Sequence, residues 1–176
     1  QTLTKKAVQK AASVPGLDAS KAIQSVTKNA VKGLANTKMS AADVTATMST
    51  AVETVMDSLD EVEGASNLSI SSLAEQVTAS SLDGLANLQQ NFANDSSFDV
   101  SQAVNKIAGG AAKGARALKQ QNPNFDLADT LGKVSQSAAS NLSKVTSDPS
   151  IVSKMAQGIQ GGIDAEVAEI SKANPG

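Results

Sequence analysis

The sequence predicts an all-α chain, an antiparallel helical bundle of six or seven helices built from degenerate helix repeats. Three observations carry that reading. A start phrase of Phe-Asp-aliphatic stands at Phe98-Asp99-Val100 and returns at Phe125-Asp126-Leu127. Behind each copy, small and apolar residues recur at steps of three and four, the mark of one buried helical stripe. Period-two alternation and clusters of Val, Ile and Tyr are missing, so no strands are expected.

The first helix is expected over about 3–13 and ends at Val14-Pro15-Gly16, whose Pro and Gly reset the chain direction. The second, 18–36, opens on Leu17-Asp18 and carries Ile23, Val26, Ala30 and Leu34 as its stripe. A looser start at Ser40, with Asp43 in the capping-box position, predicts a helix over 40–60. The fourth, 69–92, places Ala74, Val77, Leu85 and Leu88 on one face, with Ser81 in the middle of it. In the fifth, 99–121, the Asp99 carboxylate accepts free N–H groups of the first turn. Phe98 is expected to staple back toward Ala103, and Gln102 stands at the box position. Val104, Ile107, Ala111, Ala115 and Leu118 follow. The sixth, 126–146, repeats this with Asp126 as cap, Asp129 three residues on, and Leu131, Val134, Ala138, Leu142 and Val145 behind them. Asp148-Pro149 starts the seventh, 149–172, because Pro suits the first helical position. Val152, Met155, Ile159, Ile163 and Val167 form its stripe. The connectors are short and rich in Gly, Pro, Asn, Asp and Ser, which predicts antiparallel neighbours.

At 176 residues the chain fits one domain, 1–176, large enough to bury roughly 70% of its unfolded surface. It has no Cys, His, Trp or Tyr. That removes thiolate chemistry, the usual proton-transfer side chain near neutral pH and the commonest metal ligand. No catalytic, cofactor-binding or metal-ligating residue is therefore assigned, no cofactor is expected, and the chain is read as no enzyme. Ser150-Ile151-Val152-Ser153-Lys154 offers hydroxyls near a Lys, but not in a Ser-x-x-Lys context that would activate one. The formal charge is −2, from 15 basic and 17 acidic residues without a block of either sign. A nucleic-acid partner is not expected, since phosphates need a clustered basic face and base stacking needs aromatics. No apolar run reaches the length of a membrane span.

Four further patterns have the residue types of a site. Asp57, Asp60, Glu61 and Glu63 lack the spacing of a calcium loop and read as a solvated helix end. Gly109, Gly110 and Gly114, and again Gly158, Gly161 and Gly162, lie within expected helices rather than after a strand, so they are no phosphate loop. Gly110 and Gly114 stand four apart, as do Gly158 and Gly162, which puts each pair on one face where two helices can approach closely. The sequons at Asn67, Asn94 and Asn141 are expected by chance in a chain this rich in Ser, Thr and Asn. Thr45, Thr47, Thr50 and Thr54 lack the regular long spacing of an ice-binding face.

Small-residue helices with 18% charged residues suit assembly better than chemistry. In "GLDASKAIQSVTKNAVKGLA" and "NFDLADTLGKVSQSAASNLSKV" the composition and cap phrasing resemble the helical repeat units of silk proteins (spidroins). That resemblance implies a secreted structural module that self-associates into a fibre, filament or matrix. A start at Gln1 rather than Met fits removal of a signal peptide, and "ANPG" at 173–176 echoes the "SVPGLD" that opens the second helix, as a unit in an array would. The alternative is a secreted helical carrier that holds a fatty acid or another apolar small molecule between Ala- and Gly-rich helices.

Overall fold

The computed structural model describes residues 6, 7, 10, 19–60 and 69–173, and every element among them is helical. We number the six long helices α1 (Ala19–Gly33), α2 (Ala41–Asp57), α3 (Ile70–Leu88), α4 (Val100–Gln121), α5 (Leu127–Ser140) and α6 (Pro149–Ala173). Single 3-10 turns extend α1 through Leu34–Asn36 and α3 through Gln89–Phe92. The expected helix over 3–13 and its Pro-Gly boundary lie outside the described residues, apart from helical positions 6, 7 and 10. The sixth expected helix is interrupted: α5 stops at Ser140, and one further turn, Leu142–Val145, follows Asn141.

The start phrases act as caps. Asp99 accepts from the backbone N–H of Ser101 at 2.9 Å and of Gln102 at 3.2 Å. Asp126 accepts from Asp129 N–H at 2.9 Å. Ser40 accepts from Asp43 N–H and returns its hydroxyl hydrogen to the Asp43 carboxylate at 2.8 Å. The Phe98 ring stacks on Phe92, centroids 5.0 Å apart, and so ties the α3–α4 connector to itself. Asp126→Ala is expected to cost about 1 kcal/mol in chemical denaturation, with Asp99→Ala alike. At the start of α6, the hydroxyl and then the backbone N–H of Ser150 hold the Asp148 carboxyl below the usual 3.8. Because the folded value is the lower one, this cap stabilises above the usual value and is lost as pH falls through the lowered one. A carboxyl-detected NMR titration checks it: an Asp148 midpoint at or above 3.8 would refute the assignment.

The helices form two layers. In one, α4 packs between α2 and α6; in the other, α3 packs between α1 and α5. Consecutive helices therefore sit in different layers and pack less extensively on each other than next-but-one helices do. Within each layer the contacts advance in the same direction along both chains, so the helices run parallel. Gly110 meets Ser49, Gly114 meets Glu53 and Met56, and Gln121 reaches Asp57. Gly158 meets Ser101, Gly162 meets Asn105, and Arg116 pairs with Glu166 at 3.3 Å. That last pair is a partly buried charge contact, with Glu166 Oε2 accepting no aligned hydrogen bond. In the other layer Gln24 bonds Gln76, Lys28 pairs with Asp83 and Val31 meets Gly84; farther across, Ser71 bonds Thr130 and Ser137 bonds Glu75 O.

Glycine makes the seams of α4 possible. A methyl group at Gly110 would fall on the Ser49 carbonyl oxygen, and one at Gly114 on Met56 Cβ. At Gly162 it would lie 2.6 Å from the Asn105 carbonyl oxygen. The glycine pairs thus sit where two helix backbones touch, as their spacing predicts.

The core runs through both layers and includes Ile23, Met48, Leu85, Ile107, Leu118, Val134 and Met155. In α1 the fully buried row is Ile23, Thr27 and Val31, whereas Val26, Ala30 and Leu34 are only half-buried. The expected stripe and the buried row share Ile23 and then part, because Thr27 is a polar residue in a core position. Thr27 can be one since its Oγ1 donates to Ile23 O at 2.7 Å. Thr78 and Ser81 do the same to Ala74 and Val77. A Ser or Thr that returns its hydrogen one turn back removes the cost of burying its hydroxyl. The α6 stripe ends at Ile163, and Val167 stands 42% exposed.

Candidate functional site: a polar groove between α3 and α5

The positions singled out in the sequence do not gather at one place. Asp57 accepts from Gln121 Nε2 at 3.0 Å, while Glu61 and Glu63 lie outside the described residues. Ser150 is committed to the cap of α6, its hydroxyl donating to Asp148. Thr45, Thr47 and Thr54 donate to carbonyls one turn back. Asn94 is exposed, Asn141 donates its amide to Ser137 O, and Asn67 lies outside the described residues. Among the described residues no three acidic side chains come together as metal ligands would, and no helix is long and apolar enough to cross a membrane.

What the sequence reading missed is a groove of about 410 Å³ between α3 and α5. Its walls are Ser72, Glu75, Gln76 and Ala79 from α3 and Gln136, Ser137 and Ser140 from α5, with Asn141 at one end. Through Gln76 and Ala79 it continues into a cleft of about 140 Å³ reaching Gln24, Ser80, Asp83 and Lys144. Two features build it. The α3–α5 seam is joined by hydroxyls instead of aliphatic side chains: Ser71 and Thr130 share a buried hydrogen bond of 3.1 Å, and Ser137 donates to Glu75 O at 2.7 Å. Its facing residues are short, so space remains above the seam.

The second feature is the break in α5. Asn141 Nδ2 donates to Ser137 O at 2.7 Å, the carbonyl that its own backbone N–H reaches at 3.2 Å. The break falls at Asn141, whose backbone leaves helical geometry with φ −104° and ψ 5°. Neither Pro nor Gly marks the break, and Ser137-x-x-x-Asn141 carries no comparable helix-stop signal. Asp83 closes the far end, with Lys28 Nζ at 3.2 Å and Lys144 Nζ at 4.0 Å, so one carboxylate links α1, α3 and the turn after α5. Among the described residues the Glu75 carboxylate has neither an ion pair nor a hydrogen bond.

The groove offers hydroxyls, amides and one carboxylate, with no arrangement of nucleophile and base. The sequence matches no protein-family model, and neither a curated protein nor a solved structure matches the chain.

Proposed function

We propose that this chain is a secreted, non-catalytic structural module that self-associates, of the kind that the resemblance to helical silk units implies. The observation that carries the reading is the same-direction packing of next-but-one helices in two layers. On this reading α1–α2, α3–α4 and α5–α6 are three helical hairpins, each stacked on the next as a degenerate repeat. A stack of this kind adds stability by nearest-neighbour contacts and has two ends. One of its edges supports joining: Ala128, Gly132, Ser135 and Ala139 of α5 point away from α3, and nothing lies within 4 Å of the Gly132 Cβ position. Small residues are what the seams inside the molecule use. In the other layer the edge of α6 opposite its glycines carries Ser153, Gln157, Gln160 and Asp164, all exposed, so joining is assigned to the α5 side.

Sedimentation velocity at rising concentration tests this. The intact chain should form reversible oligomers that Gly132→Glu abolishes. A monomer at every concentration would overturn the reading, and an apolar ligand found in native mass spectrometry of that monomer would favour the fatty-acid carrier.

A further inference from the structure

We infer that the groove between α3 and α5 binds an extended peptide segment bearing one Lys or Arg side chain, with Glu75 as the residue that receives the cation. Three features meet there: an open cleft, the helix break at Asn141, and the Glu75 carboxylate, which the fold does not use. The α3–α5 seam departs from the small apolar seams of the other layer, and the departure brings donor–acceptor side chains to the surface along one line.

The chemistry of the lining selects the class of ligand. Among the described residues the main chamber carries Glu75 and no cation, which disfavours anions such as phosphate and favours an ammonium or guanidinium group. Side-chain amides from Gln136 and Asn141 present a donor and an acceptor together, the complement of a peptide group. Hydroxyls of Ser72 and Ser140 add single contacts. Ala79 is the one apolar residue on the floor, leaving room for a backbone to lie close. Phe92, Phe98 and Phe125 are the only aromatic residues and none lines the groove, so a sugar ring would find no face to stack on. From Ser72 to Asp83 the groove follows α3 for about 16 Å at 1.5 Å per residue, the span of about five extended residues. Asp83 and its two lysines close the far end, and so place the cationic side chain at the Glu75 end.

The test uses the full chain, isotope-labelled, and the peptide acetyl-TVRVT-amide as probe. Addition of the peptide should give saturable amide shifts confined to 72–83 and 136–144. Glu75→Gln should weaken binding about tenfold, as should a peptide with Gln in place of Arg, and Ala79→Arg should abolish binding while the circular dichroism spectrum stays helical. Equal binding by Glu75→Gln, no saturable shift at millimolar peptide, or shifts produced instead by a chitin disaccharide would each overturn the proposal. None of these outcomes depends on whether the chain self-associates, since the α5 edge and the groove lie on different faces of that helix.

Discussion

Ile107→Ala is expected to remove about 2–5 kcal/mol of folding stability, the largest loss of any single change considered. Ile107 is 0% exposed near the middle of α4, the helix that both α2 and α6 pack against. Truncation removes apolar surface from water burial and leaves a void that two parallel neighbours cannot both close, because glycine contacts already hold their backbones against α4. For a domain whose whole stability is about 5–15 kcal/mol, that is a large share. Val167→Ala, a cut of similar chemistry at a position 42% exposed, should change stability by less than about 0.5 kcal/mol. Urea denaturation of the pair checks it, and equal effects would show that α4 is not the centre of the core.

Gly110→Ala should lower stability by about 1–3 kcal/mol, the usual cost of overpacking, although alanine is the better helix former by about 1 kcal/mol. The sign is decided by what the new methyl meets. It meets the Ser49 backbone carbonyl, which belongs to the helical ladder of α2 and cannot move aside without lengthening its own hydrogen bonds. Gly132→Ala is the matched control: nothing lies within 4 Å, the position is exposed in the middle of α5, and the same substitution should stabilise by roughly 0.5–1 kcal/mol. At a domain of this length each kcal/mol moves the melting temperature by about 2–4 °C, so the two variants should shift it in opposite directions. Stabilisation by both would mean that α2 and α4 do not touch at Gly110.

Helix identity and helix starts were legible because both are local. Asp99, Asp126, Ser40 and Asp148 cap the helices they precede, and the physics of a cap involves residues two or three positions apart. The glycine pairs were legible for the same reason: a spacing of four fixes one face, and a bare backbone on that face invites a neighbour. Which neighbour was not legible. Short loops predict antiparallel neighbours, yet the extensive seams join α2 to α4 to α6 and α1 to α3 to α5. Those partners are chosen by glycine notches that meet backbone more than forty residues away and, between α3 and α5, by hydroxyl contacts, matches that no single segment contains.

The groove was hidden for a related reason. Ser137, Asn141 and Glu75 are ordinary polar residues on helix surfaces, and hydrophobic periodicity assigns them to solvent. Only when α3 and α5 lie side by side does Ser137 find Glu75 O, leaving space beside an unpaired carboxylate. The sequence by itself determined that the chain is helical, where its helices begin and which faces carry small residues, since each depends on interactions within one or two turns. The layer order, the parallel seams and the groove were decided by tertiary structure, because they arise from contacts between segments whose complementarity exists only after the backbones are brought together.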